Sequence, residues 1–179
     1  MEIIDGFLDH KEFDELKNVI LSDSFDWNFI EGIDFPVFRG GEEADIDKLQ
    51  FEHVFYVNIA PCSNDFNSLI PTIKKLHPES IRRVKANLLT RTSNIIENKF
   101  HVDMDMSEEK LKQWKTSIFY VNTNNGYTKF EDGTIVESVA NRMVIFPANI
   151  KHTGTTCSDE KRRVVINFNF YPSDIVFDK

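Results

Sequence analysis

The sequence has little cysteine: two residues, Cys62 and Cys157, in a chain of 179. That is too few for a disulfide scaffold and fits a reducing compartment. Long apolar runs are missing, so no segment reads as a bilayer-spanning helix. The N-terminus, Met1-Glu2-Ile3-Ile4-Asp5, carries acids where a secretory signal would carry lysine or arginine. A soluble, cytoplasmic protein is expected, with no membrane partner. An excess of positive charge is also absent. The net charge is −8 and the pI about 5.1. Such a surface repels phosphate backbones and anionic lipid, which speaks against nucleic acid as a partner. The nearest basic stretch, Ile81-Arg82-Arg83-Val84-Lys85, reads as a strand edge with solvated basic side chains. There is no internal repeat, low-complexity tract or Pro/Gly-rich linker, and 179 residues fit one domain.

Phenylalanine is abundant, at sixteen residues, and most of these rings belong in a core. The first eighty residues read as a support region of helices and strands. Glu2 to Leu8 reads as a short strand. Phe13, Leu16 and Ile20 then fall at helical spacing behind a possible cap, Asp9. Phe25 to Ile30 and Glu52 to Asn58 read as extended. Ser63 can cap a second helix with the stripe Phe66, Leu69, Ile70, Ile73 and Leu76, in which Pro71 requires a kink or a late start.

Residues 81–172 change character. Arg82 to Leu89, Lys99 to Met104, Lys115 to Asn122, Tyr127 to Phe130, Thr134 to Val136, Arg142 to Pro147 and Arg163 to Tyr171 all read as strands. Turn signals at Asn124-Asn125-Gly126, Glu131-Asp132-Gly133, Ala140-Asn141 and Gly154 separate them. Many short strands at this spacing predict a mainly β fold, a sandwich or jelly roll, with the helices against one outer face.

Three pieces of this region carry chemistry. In Phe100-His101-Val102-Asp103-Met104-Asp105, strand alternation would turn His101, Asp103 and Asp105 to one face, where an imidazole and a carboxylate can grip one metal ion. A solvated polar face is the plain alternative. His152 follows the apolar strand Met143-Val144-Ile145-Phe146 and an abrupt turn. In the last strand, Val164, Ile166, Phe168 and Phe170 form a core-like face that fits between sheets. Arg163, Val165, Asn167 and Asn169 form a polar face, either exposed or lining a pocket inside a barrel.

His-x-Asp, then about fifty residues, then His, then about ten residues, then a basic residue opening a strand: this order resembles the 2-oxoglutarate- and iron(II)-dependent oxygenases. The prolyl 4-hydroxylase-like branch, with its small phage and bacterial members, is the most similar. The likeness runs best from Arg82 to Tyr171. It implies a double-stranded β-helix of cupin-like type, with Fe(II) held by His101, Asp103 and His152 as the catalytic centre. Two histidines and one carboxylate leave three iron positions open. The resemblance gives them to 2-oxoglutarate and dioxygen, with ascorbate as a reductant. The reaction it implies is decarboxylation of 2-oxoglutarate to succinate and carbon dioxide, coupled to hydroxylation of a peptide, protein or small-molecule substrate, a peptidyl proline among them.

The far carboxylate of 2-oxoglutarate needs a fixed cation, and arginine's planar fork suits it. Strand periodicity favours Arg163, which shares a face with Asn167, over Arg162. Tyr120 matches a residue that donates to the same carboxylate, although a buried core tyrosine is nearly as good a reading. Ile118 would line the co-substrate pocket beside it. The sequence departs from the family near Leu89, where relatives often carry tyrosine, so one hydrogen bond is missing or comes from Asn87. It departs again at Asn125-Gly126-Tyr127, where relatives often have two glycines. Asp105 competes with Asp103 as ligand, and the triplet spacing favours Asp103. A cupin-like isomerase or metal hydrolase would keep the histidines without needing Arg163, and a metal-free binding module would need none of these residues. Loops at 32–47, with Gly40-Gly41-Glu42-Glu43, and at 105–113 are candidates to cover the site and choose a substrate.

Overall fold

Local chemistry starts the first helix. In the computed structural model, which describes residues 1–30 and 49–173, Asp9 is extended and its carboxylate accepts from the Glu12 backbone N–H at 2.9 Å. This cap opens α1, His10–Ile20, whose buried stripe is Phe13, Leu16 and Ile20. Ser63 caps in the same way, accepting from Asp65, but the turn that follows is a 3-10 helix, Asn64–Leu69. The second α-helix, α2, then runs Ile70–Leu76. Pro71 sits in its first turn, where the missing N–H had no partner to lose, so the pattern starts late instead of kinking. A short helix, α3, spans Glu108–Leu111.

Eleven strands are described: β1 Glu2–Ile4, β2 Asn28–Ile30, β3 Gln50–Val57, β4 Ala60–Pro61, β5 Pro78–Thr90, β6 Lys115–Tyr120, β7 Tyr127–Phe130, β8 Ile135–Glu137, β9 Arg142–Pro147, β10 His152–Gly154 and β11 Arg162–Pro172. A large antiparallel sheet has the order β1-β9-β6-β11-β5-β3-β2, with β4 paired to β3. A small sheet has the order β10-β7-β8. From β6 onward the chain alternates between sheets: β6 in the large one, β7 and β8 in the small, β9 in the large, β10 in the small, β11 in the large. This winding makes the jelly roll expected from the strand spacing.

The two faces of the large sheet do different work. One packs on the helices: Val84, Ala86, Phe119, Val164, Ile166 and Phe168 are buried with Phe13, Leu16 and Ile20. The rings of Phe7 and Phe13 both meet Phe119 edge-on, with centroids 6.2 and 6.1 Å away. The other face looks into the roll, where Ile118, Tyr120, Val144, Phe146 and Val165 meet Phe130 and Val136 of the small sheet. The apolar face of β11 therefore fits between sheet and helices, not between sheets as its sequence suggested. The more polar face fills the interior.

Four further expectations change. Lys99 to Met104 is not a strand. Only His101 makes a bridge, to His152, and the chain bends at Asp103 and Met104. The N-terminal strand stops at Ile4, because Gly6 at φ +60° turns the chain. Gly154 is the last residue of β10 instead of a turn. Arg82 is exposed as expected of a strand edge, but Arg83 is half-buried and bonded inside the roll. The candidate loop at 32–47 lies outside the described residues. Among the described residues no helix is long and apolar enough to cross a membrane.

One asparagine ties the N-terminal segment to this frame. Asn141, at φ +64°, accepts from the Leu8 N–H at 2.9 Å through Oδ1 and donates to the Leu8 carbonyl at 2.8 Å through Nδ2. Asn141→Ala would strand both buried groups of Leu8 and place alanine in a left-handed conformation. It should lower stability by about 2–4 kcal/mol. Urea unfolding measures this, and a loss below about 1 kcal/mol would contradict the anchoring role.

Candidate metal centre

A pair of backbone hydrogen bonds brings the first two donors together. His101 N–H donates to the His152 carbonyl and His152 N–H to the His101 carbonyl, each at 3.0 Å. Residues exchanging both bonds project side chains to one side, and the two imidazole centroids lie 4.8 Å apart. Asp103 follows on the bend, held there by Met104, which is buried with Leu111 and Ala148. The Asp103 Oδ1 atom is 3.6 Å from His101 Nε2 and 3.8 Å from His152 Nε2. One ligand atom from each of the three residues lies within 4.8 Å of the others.

Both imidazoles are oriented from behind. His101 Nδ1 is 3.1 Å from the Lys99 carbonyl, and His152 Nδ1 is 3.4 Å from the Ile150 carbonyl. A neutral ring donating from Nδ1 keeps Nε2 as its acceptor nitrogen, the arrangement of a metal-ligating histidine. His152 is walled by Phe146 and Phe130, with centroids 4.9 and 6.2 Å away. Burial pushes its pKa down and the His101 ring adds to this, while Asp103 opposes it. Burial would raise Asp103. The His101 and His152 imidazoles, the Arg83 guanidinium and the Asn169 amide outweigh that and hold its carboxyl well below the usual range. A His152 that resists protonation beside an Asp103 that resists protonation suits metal binding, which needs both as bare ligands. Two nitrogens and one carboxylate oxygen facing one point fit Fe(II) with open positions.

Arg163 sits elsewhere on the same interior face of β11. It is 3% exposed, and its Nε donates to Ser138 Oγ at 2.8 Å and its Nη2 to Thr128 Oγ1 at 3.1 Å. Among the described residues no carboxylate pairs with it. Burial lowers its pKa from the ordinary value, yet a guanidinium stays charged. Tyr120 is buried beside it, with the guanidinium carbon 5.7 Å from the ring centroid. Its hydroxyl donates to the same Thr128 Oγ1 at 2.8 Å. Ile118 is buried on the same face, opposite Asn167.

The remaining sequence candidates divide. Asn167 reaches the centre, its Nδ2 donating to Asp103 Oδ2 at 3.3 Å. Asn87 lies on the inner face of β5 opposite Val165, its Oδ1 buried without a hydrogen bond. Arg162 points the other way and donates to the Leu21 carbonyl at 2.7 Å, so the structure brings Arg163 into the roll and not Arg162. Asp105 is exposed and outside the metal group, because the bend breaks the strand alternation that would have aligned it. Two residues were missed. Asn169 donates to Asp103 Oδ2 at 2.9 Å, and Arg83 donates to the Asp103 carbonyl at 3.1 Å. Their signal was present in strand parity, since both share a face with residues that point inward.

Comparison with known proteins agrees with this geometry at the level of fold. No protein-family model matches the chain, and no relative is found among curated proteins. Solved structures do match. The chain is similar to a viral collagen prolyl hydroxylase from Paramecium bursaria Chlorella virus 1, crystallised with 2OG, at 15% identity and a TM-score of 0.53, covering 97% of this chain and 96% of that one. It is similar to a prolyl 4-hydroxylase from Pseudomonas putida at 12% identity and a TM-score of 0.60, covering 96% and 92%. It is also similar to SnoN, a non-haem α-ketoglutarate-dependent epimerase of nogalamycin biosynthesis, at 12% identity and a TM-score of 0.61, covering 98% and 81%.

The protonation states have a measurable consequence. With the His152 and Asp103 pKa values depressed in the fold, the unfolded chain binds protons that the folded chain refuses. Stability of the metal-free protein is therefore fully present above about pH 6.5 and declines as pH falls, first through His152 and then, below about pH 4, through Asp103. Urea unfolding between about pH 7.5 and 5 tests the first step. A flat profile would contradict a buried, neutral His152.

Gly126 supplies a second test. A Cβ there would stand 2.7 Å from both Arg163 Cδ and the Thr156 carbonyl oxygen. Gly126→Ala should cost about 1–3 kcal/mol, because the Thr156 carbonyl is backbone and cannot swing aside as a side chain can. A variant as stable as the parent would show that this close approach is not a packing constraint.

Proposed function

We propose that this protein is an Fe(II)- and 2-oxoglutarate-dependent oxygenase that hydroxylates a peptide or protein side chain. The observation that carries the reading is Arg163, a buried cation inside the roll with no carboxylate partner among the described residues. An isolated buried charge is costly, and a fold keeps one where a ligand of opposite sign completes it. A metal-free binding module or a cupin-like hydrolase has no use for it. A dicarboxylate that binds the metal with one end and Arg163 with the other would use both the open metal positions and the unpaired cation.

The residues divide the work. His101, Asp103 and His152 would hold the iron and leave one side of it open. Bound Fe(II) would supply the dioxygen chemistry that couples decarboxylation of 2-oxoglutarate, giving succinate and carbon dioxide, to hydroxylation of a substrate C–H bond. Arg163 would bind the carboxylate remote from the metal, with the Thr128 and Ser138 hydroxyls, which accept from Arg163 and keep their own protons, as neighbours able to donate. Ile118, Val165 and Phe146 exclude water around that contact, which strengthens it. A peptidyl proline is the first substrate to try, because two of the similar structures are prolyl hydroxylases. The likeness to an epimerase on the same fold makes product analysis part of that trial.

Anaerobic addition of Fe(II) and then 2-oxoglutarate should produce a weak visible charge-transfer band, and His101→Ala and Asp103→Ala should abolish it. Normal turnover in either variant would overturn the ligand set. Arg163→Ala should weaken 2-oxoglutarate binding by about 2–5 kcal/mol while iron stays bound, the scale of breaking a buried charge-assisted pair. Arg162→Ala should leave that affinity unchanged. Unchanged affinity in Arg163→Ala would remove the arginine from the pocket.

A further inference from the structure

Asp103 has one oxygen toward the imidazoles and the other committed elsewhere. Its Oδ2 accepts from Asn169 Nδ2 at 2.9 Å and from Asn167 Nδ2 at 3.3 Å. The Asn169 amide is fully used. Its Nδ2 also donates to Thr116 Oγ1 at 3.1 Å, and its Oδ1 accepts from Arg83 Nε at 3.2 Å. Arg83 Nη2 then returns to the Asp103 carbonyl at 3.1 Å. Two neighbouring strands, β5 and β11, thus close a ring of hydrogen bonds on Asp103, and β6 braces it through Thr116. A reversed Asn169 amide would set oxygen against a carboxylate and N–H groups against a guanidinium, so its orientation is fixed by chemistry.

We propose that Asn169, aligned by Arg83 and Thr116 and assisted by Asn167, fixes Asp103 as a one-oxygen metal ligand and thereby sets how many coordination positions the site leaves open. A carboxylate can bind a metal through one oxygen or through both. Two amide N–H groups on Oδ2 occupy its lone pairs and hold it back, leaving Oδ1 for the ion. His101, Asp103 and His152 then fill three positions. Without the amides, Oδ2 can share the ion and take a fourth. The importance of that position rests on the oxygenase reading, since a chelating co-substrate and dioxygen together need three. The restraint on Asp103 itself does not depend on that reading. Asn169 acts through Asp103 and is a positioning residue.

Cobalt(II) is the probe, because its visible spectrum reports coordination number and needs no turnover. Asn169→Ala should weaken Co(II) binding by about 10- to 100-fold, the usual consequence of losing a hydrogen bond behind a ligand. It should also change the shape of the visible bands, read on protein that circular dichroism shows to be folded. Asn167→Ala should do the same more weakly, in line with its longer bond. Lys85→Met removes a neighbouring inward cation that is paired with Glu52 at 2.8 Å, and should leave affinity and spectrum unchanged. If Asn169→Ala does not fold, Arg83→Gln carries the test, since it keeps the amide and removes its alignment. Co(II) affinity within twofold of the parent and an unaltered spectrum in the folded variant would overturn the proposal. Parent protein that binds Co(II) but not 2-oxoglutarate would count against the oxygenase reading alone, and the variant spectra would still decide the role of Asn169.

Discussion

Two backbone hydrogen bonds between His101 and His152 carry the architecture of the site. They join a segment with no regular structure to the short strand β10 of the small sheet, and they force two imidazoles to the same side. Everything else at the centre is arranged around that bridge. The bend after it turns Asp103 toward both rings, and Met104 pins the bend into a small apolar cluster. Behind Asp103 stand the amides of β11, and behind His152 stand Phe146 and Phe130. The jelly roll supplies the rigidity that such a site requires, because each contributing strand is fixed by neighbours in its own sheet.

β11 divides the molecule. Its alternation sends Val164, Ile166 and Phe168 to the helices and Arg163, Val165, Asn167 and Asn169 into the roll. The strand therefore acts as a wall between a structural core and a functional interior. A one-residue slip would exchange these faces, placing the arginine against the apolar helices. The long pairings of β11 with β5 and with β6 fix the register on both sides and make such a slip expensive.

Much of this was legible in the sequence. Helix caps at Asp9 and Ser63 and the strand pattern after residue 80 follow from spacing and periodicity, strand periodicity also turned Arg163 rather than Arg162 inward, and the grouping of His101, Asp103 and His152 came from the family resemblance. Three features were not legible. The Lys99 to Met104 segment looked like a strand because its residues alternate, yet its conformation is set by one tertiary bridge. The apolar face of β11 was placed between sheets because periodicity finds a buried face without saying what buries it. Arg83 looked solvated because a charged residue on a strand reads as exposed until its partners on β11 are known. Each miss concerns a partner distant in sequence: parity can put a residue such as Arg83 on an inward face without saying what it meets there.

The account stands on three side chains sharing one ion. Anaerobic crystals grown with Fe(II) and 2-oxoglutarate, with data collected on both sides of the iron absorption edge, test this most directly. The account predicts a single anomalous peak bonded to His101 Nε2, Asp103 Oδ1 and His152 Nε2, with the co-substrate's remote carboxylate on Arg163. A peak at any other group of side chains, or none at this one, would contradict it.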